Sequence, residues 1–464
     1  MFYDVSARGN QQEFLTGMSK LQARTPRGMR DFLPAEMHKR EFVMHTVRDV
    51  FESFGFEPIY TPVMELHSTL MGKYGEDAEQ LIYHARHSEG KEELALRYDL
   101  TVPLSRFFAE HESDLPLPFR RYHIAPVWRG ERPGRGRYRE FFQCDADIVG
   151  IRTMNADAEC VSLVYAVLSR LGFEDFTIKI NSRKLLTGIG IYAGVADSQL
   201  GNLYRIIDKA DKIGLGGVGE DLRKHGIEDA AVKRMVDLLG TQADHKDALL
   251  LRLREQLAGI DVALEGLREL DELADYLSAF AVPDERTMID MTMVRGLGYY
   301  TGPIFETIIT KPENLGSVQG GGRYDDLIGM FRSQSLPTTG ISLGIERIID
   351  LMEQLDLYPP SLSRTAVQVL VAVFNQETEA ETLRLASELR QAGIRTEAYL
   401  DSRKNLGKQI GYADAKGVPL VVILGPEEIQ QETVKLKLLA AGTEITLPRA
   451  ELAGKVRELL ENLS

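Results

Sequence analysis

The stretch Val127–Gly150, VWRGERPGRGRYREFFQCDADIVG, restricts the fold more than any other part of the sequence. Two extended runs flank a tip rich in glycine and arginine, so the segment reads as a hairpin with a long basic turn. Successive side chains of a strand point to opposite faces. Arg129 and Glu131 would share one face of the first strand, and Gln143, Asp145 and Asp147 one face of the second. Such groups are costly to bury without partners. A polar pocket for a charged ligand meets that demand; on this segment alone, a solvated face of an edge hairpin meets it too. The tip adds Arg132, Arg135, Arg137 and Arg139, with Gly134 and Gly136 between them. Guanidinium forks match phosphate geometry, which suits the tip to gripping the end of a phosphate-bearing polymer. The plainer account is a solvated loop.

Around this hairpin the sequence alternates between helical and extended patterns. Apolar residues at helical spacing (Phe42, Val43, Val47, Val50, Phe51, Phe54) predict a helix over Ala35–Phe54, which Gly55 ends. FEPIYTPVMEL is extended, and its two prolines make it an edge or interface strand. A helix over Val102–His111, a helix over Ala156–Leu171 and a strand FTIKINS follow. From about Lys184 to Ala281 the pattern is almost wholly helical, and strands return at TMIDMT, IFETIIT and TGISLGIER. Beyond YPPSLSRT, strands and helices alternate with short connections, which predicts a small α/β domain. The fold class is therefore α+β, an antiparallel sheet flanked by helices with a helical insertion and a C-terminal α/β domain. The divisions expected are an N-terminal arm over 1–24, a main domain in two parts (25–190 and 285–356), an insertion over 191–284, a linker over 357–364 and a final domain over 365–464.

A net charge of −14 argues against coating nucleic acid through bulk charge, though it leaves room for a local basic patch. Two cysteines with no CxxC exclude a disulfide framework and a cysteine-rich zinc site. No apolar run reaches the roughly 20 residues of a membrane helix, and the N-terminus lacks a secretory pattern. A reducing, cytoplasmic setting is the expectation.

Four further segments carry chemistry. VRGLGYYTGPIFE places Arg295 among glycines and beside Tyr299 and Tyr300; a packed cation–π unit is the bland account, a ligand approaching the backbone the sharper one. VQGGGRYDDL sets a triple glycine before Tyr324 and reads equally as a turn or as a seat for a flat ring or phosphate. In GISLGIERI, Arg347 falls in the first turn of a helix, where positive charge opposes the macrodipole and so invites an anion. In LALRYDLTVPL, Asp99 and Thr101 alternate onto one face, or else cap the following helix. Two decoys of a dinucleotide loop occur: GLGGVG fits the motif and GIGIYA its looser form, but the motif belongs directly after a strand and Gly214 follows the helical NLYRIIDKADKI. The first reads as a flexible turn.

Together, GMRDFLP, RYDLTVP, the hairpin, VRGLGYYTG, GGGRYD and GISLGIERI resemble the histidyl-tRNA synthetase family, with its class II motifs and histidine signatures. RTEAYLDSRKNLGKQIGYADAKGVPLVVILGPEE resembles the anticodon-binding domain of class II synthetases. The resemblance implies activation of L-histidine by ATP, with Mg²⁺ accompanying the nucleotide, and transfer to tRNA(His). It implies a homodimer formed through the catalytic domain. By the same resemblance Arg129 would neutralise the α-phosphate, Glu131 and Arg137 would hold ATP, and Arg347 would meet the γ-phosphate. Arg295 would stabilise the pentavalent state and touch histidine. Asp99, Thr101 and Gln143 would receive the ammonium; Asp147 and Tyr300 would hydrogen-bond the imidazole, with Tyr324 closing the pocket and Tyr299 also among the histidine-binding residues. Arg135, Arg137, Arg403, Lys404 and Lys408 would contact tRNA. The family usually has an acid where Gly298 stands, and Asp147 replaces the longer Glu of many bacterial members. A histidine-sensing regulatory subunit on the same fold is the rival, but such subunits generally lack the C-terminal domain.

Overall fold

The structure, a computed structural model, describes residues 22–462 apart from 73, 75, 135, 244, 295–297 and 313–315. The strands of the first part are β1 (Glu57–Pro58), β2 (Met64–Leu66), β3 (His84–Ala85), β4 (Leu94–Leu96), β5 (Phe119–Trp128), β6 (Glu140–Val149), β7 (Phe176–Ser182), β8 (Thr287–Ile289), β9 (Pro303–Ile309), β10 (Ser317–Arg323) and β11 (Thr338–Gly344). Eight of them form one sheet in the order β1-β5-β6-β11-β10-β9-β7-β8. Its pairings are antiparallel except at the two short edges, β1 on β5 and β8 on β7. Strands β2, β4 and β3 make a small antiparallel sheet beside it.

The period of two is what organises β6. Cys144, Ala146 and Ile148 turn to the apolar core, together with Val43, Val47 and Phe51 of the helix Pro34–Ser53 and Val161, Leu163, Val164 and Val167 of the helix Asn155–Arg170. Each such aliphatic side chain contributes about 1.5–3 kcal/mol when fully buried. Gln143, Asp145 and Asp147 turn to the opposite face and are buried as well. The hairpin is not an edge: β6 is paired on both sides, by β5 and β11. Arg129 and Glu131 do not share a strand face, because β5 ends at Trp128 and both stand in the loop beyond it.

The triple glycine lies inside β10 and is no turn. A Cβ on Gly321 would come within 2.3 Å of the Gly340 carbonyl oxygen, so bare peptide is what lets β10 and β11 pair closely. GLGGVG is not a loop either. It falls in the helix Ala210–Lys224, which kinks at Gly214. GIGIYA is helical, and Gly188 meets Ala263 of the helix Asp261–Ala279 too closely for any side chain. The inserted helices share one continuous apolar core with the large sheet.

The final part contains β12 (Val369–Val373), β13 (Thr396–Ala398), β14 (Leu420–Leu424), β15 (Thr433–Leu438) and β16 (Thr443–Pro448), ordered β13-β12-β14-β15-β16. The first three run parallel and the last two close as an antiparallel hairpin. Val369 and Val371 face one apolar cluster and Leu370 and Ala372 another, so this sheet is covered on both faces.

Candidate active site

Asp99 stands just before the helix Thr101–His111. Its Oδ1 accepts from the backbone N–H of Thr101 at 3.2 Å and of Val102 at 3.1 Å, and from the Tyr74 hydroxyl at 2.9 Å. One carboxylate oxygen thus caps the helix, as the alternative reading of LALRYDLTVPL held. The other, Oδ2, is buried and has no hydrogen-bond partner among the described residues. Burial pushes the Asp99 carboxyl above its usual value, opposed by those donors and by the Arg129 charge. Gln143 donates from Nε2 to the Ser342 hydroxyl at 2.8 Å, which leaves its Oε1 without a partner among the described residues. An acceptor-rich corner of this kind can receive a cationic amine.

The other end is built on Asp147. Arg121 lies directly across from it in the β5–β6 register, and their charged atoms are 2.6 Å apart. The Tyr324 hydroxyl donates to the other Asp147 oxygen. On its second side β6 pairs β11, where Gly340 stands opposite Asp147; a Cβ there would fall 1.9 Å from Asp147 Oδ1. The glycine is what gives the carboxylate room to lie across the sheet. Tyr299 and Tyr324 meet edge to face at 5.7 Å, and Tyr299 packs on Tyr300 at 5.0 Å. Tyr299 also shares a hydrogen bond with Thr101. Asp145, between Gln143 and Asp147, has its carboxyl pushed up to about 7, first by burial and then by the neighbouring Asp147.

Arg129 lies over the Tyr98 ring at 4.4 Å and over Phe141 at 5.1 Å, and its Nε donates to the Tyr98 carbonyl at 3.1 Å. Two aromatic faces hold the guanidinium flat while its remaining donors stay directed. Tyr98 feels the charges of Arg129, Glu131, Asp99 and Arg137 together, which sets these groups around one ring. Glu131 and Arg137 form an ion pair at 3.1 Å. Arg347 donates to the Ser317 carbonyl at 2.5 Å, and its stem lies against Gly136 of the hairpin tip. The next residue toward the N-terminus, Glu346, instead ties the fold together: Arg40 grips it with both Nη atoms at 2.7 and 2.8 Å.

The structure thus gathers Asp99, Thr101, Gln143, Asp147, Tyr299, Tyr300 and Tyr324 on one face, with Arg129, Glu131, Arg137 and Arg347 along the hairpin beside it. Arg295 and Arg135 lie outside the described residues. Arg403, Lys404 and Lys408 belong to the final domain; Arg403 pairs with Asp401 at 2.8 Å, and Asn405 caps the helix that carries Lys408. Sequence reasoning missed Arg121, Tyr74 and Ser342. Arg121 had a signal, a cation on the strand opposite two carboxylates, but only the register exposes it. Among the described residues no group of three or more His, Cys, Asp or Glu could hold a metal ion.

The family model described as Histidyl-tRNA synthetase matches residues 28–348, and that described as Anticodon binding domain matches residues 368–459. A histidine–tRNA ligase of Cytophaga hutchinsonii is 39% identical over 451 residues, covering 93% of this chain and 98% of that protein. One of Clostridium tetani is 38% identical, covering 91% and 95%. A crystal structure of histidyl-tRNA synthetase from Nostoc superposes with a TM-score of 0.82 at 33% identity, over 95% of this chain and 100% of that one. A Bacillus halodurans structure described as an ATP phosphoribosyltransferase regulatory subunit/histidyl-tRNA synthetase superposes with a TM-score of 0.70 at 21% identity, covering 85% and 97%, a likeness of fold.

Proposed function

The chain belongs to the histidyl-tRNA synthetase family, and from that premise we propose how its residues divide the work of charging tRNA(His) with L-histidine. The family uses ATP, and the matched anticodon-binding domain accounts for the tRNA. Histidine's carboxylate attacks the α-phosphate of ATP, pyrophosphate leaves, and the histidyl-adenylate acylates the terminal ribose of the tRNA. Chemistry of this kind depends on placed positive charge more than on an acid or base. Arg129 neutralises the α-phosphate, Arg347 the γ-phosphate, and Arg295 the pentavalent centre. Glu131 and Arg137 hold the nucleotide. The free oxygens of Asp99 and Gln143, with Thr101, take the ammonium; Asp147, Tyr299, Tyr300 and Tyr324 form the imidazole side. One observation carries the reading: Gln143, Asp145 and Asp147 are buried on the pocket face of β6 while their neighbours fill the core. Gln143 Oε1 and nearby Asp99 Oδ2, buried acceptors without a partner among the described residues, suit a cationic, hydrogen-bonding ligand.

Mg²⁺ supplies charge neutralisation of the triphosphate. The acidic groups by the nucleotide suit an ion carried mainly by phosphates and water, since Glu131 is already paired with Arg137. Dimerisation through the catalytic domain is supported by apolar side chains left exposed around β1 and β2: Tyr60, Met64 and Leu66. Residues 191–284 embrace the acceptor arm, the hairpin tip with Arg135 and Arg137 holds its end, and Arg403, Lys404 and Lys408 contact the anticodon region. Among the described residues no helix is long and apolar enough to cross a membrane; the proposed compartment is the cytoplasm.

The test is exchange of labelled pyrophosphate into ATP, run with each of the twenty amino acids. Histidine alone should support exchange. Histidine binding without exchange would turn the reading to the sensing subunit.

A further inference from the structure

Arg121 is fully buried in β5 and holds the two ends of the amino-acid pocket in one frame. Its Nη2 lies 2.6 Å from Asp147 Oδ2, at the imidazole side, and 3.4 Å from the carbonyl of Leu100. Leu100 is the residue between Asp99 and Thr101, which form the ammonium side. Among the described residues no other guanidinium is recorded on Asp147. A planar guanidinium fixes such a separation better than a flexible ammonium.

We infer that Arg121 is a positioning and specificity-determining residue for histidine: it holds Asp147 aimed at the imidazole, and it sets the distance from that carboxylate to the ammonium-binding turn. The inference rests on the histidine pocket proposed above. Arg121 acts through Asp147. The groups facing Asp147 are Arg121 from β5, Asp145 on its own strand, Tyr324 following β10, Asp99 from the turn and the Cys160 thiol of the helix Asn155–Arg170. Burial raises the Asp147 carboxyl, and Arg121 is the strongest influence opposing that rise. An ionised Asp147 accepts from an imidazole N–H with either oxygen; a protonated Asp147 would offer a competing donor. Without Arg121 the strongest influence opposing that rise is gone and the carboxyl moves further up, so histidine affinity should improve as pH rises and the proton is lost.

The experiment compares Arg121→Met, Arg121→Lys and Asp147→Asn with the parent enzyme in histidine-dependent pyrophosphate exchange from pH 6 to 9. Arg121→Met should raise KM for histidine by about 10- to 100-fold while kcat and KM for ATP move less than about threefold. Its KM for histidine, divided by the parent's at each pH, should fall as pH rises. Arg121→Lys should recover part of the affinity and flatten that pH dependence. A folded Arg121→Met enzyme with parental KM for histidine, or with a ratio independent of pH, would overturn the inference. So would losses spread evenly over histidine, ATP and kcat, which mark a structural residue. If Asp147→Asn also leaves KM for histidine unchanged, the pocket reading itself fails; if it raises KM while Arg121→Met does not, only the role of Arg121 fails.

Discussion

His123 and Asp145 oppose each other across β5 and β6, both buried, and burial shifts each toward its neutral form. Burial, then the Arg121 and Arg97 charges, hold the His123 imidazole down to about 3. Burial, then Asp147, lifts Asp145 to about 7. The two act on stability with opposite sign. Between about pH 4 and 7 the folded chain keeps the Asp145 proton that the unfolded chain has released, so this group makes stability fall as pH rises. Between about pH 3 and 6.5 the unfolded chain protonates His123 and the folded chain does not, so this group makes stability rise with pH. Each slope is about 1.4 kcal/mol per pH unit at most, and they offset where they overlap. Asp145→Asn should therefore expose the His123 slope: urea unfolding should show stability climbing more steeply from pH 4 to 6.5 than in the parent. Parallel curves for the two proteins would mean that the Asp145 carboxyl is not shifted upward as its burial requires.

At the scale of elements, glycines in β10 and β11 decide how near the strands and the carboxylates come. Gly340→Ala would place a methyl against Asp147 and force the carboxylate off its line. KM for histidine should rise by about 100-fold or more, with a loss of about 1–3 kcal/mol in urea unfolding from overpacking. Gly321→Ala meets the Gly340 carbonyl instead and presses on backbone. It should cost more stability than Gly340→Ala while harming histidine affinity less, a contrast that the same two assays read directly. These strands also show what is legible in the sequence. The polar face of β6 was readable because alternation alone sets it, and the final domain because each strand and helix carries its own apolar period. The triple glycine was not, since a residue without a side chain signals a turn and a close strand pairing equally. Arg121 was hidden for a related reason: its partner lies 26 positions on, and register, which no local pattern reveals, brings them together.

At the scale of the whole molecule, the apolar interior is divided at the linker. One cluster runs from Val43 to Met352 and includes the inserted helices; separate clusters hold the final domain, from Val369 to Val456. Cooperative unfolding follows shared cores, so the insertion should melt with the sheet and the final domain by itself. Ligands that bind one folded unit stabilise that unit alone, by about 2.7 kcal/mol at a hundredfold excess over Kd. Histidine with ATP should thus raise one calorimetric transition by several degrees and leave the other in place. Lys404→Ala with Lys408→Ala should leave both transitions and pyrophosphate exchange unchanged while raising KM for tRNA, because exposed lysines contribute to phosphate contact and little to packing. A single transition that moves as a whole with histidine and ATP would mean that contacts across the linker bind the two units into one cooperative fold. The anticodon-side lysines would then have a physical route to the adenylation site, and their substitution should depress exchange as well as tRNA use.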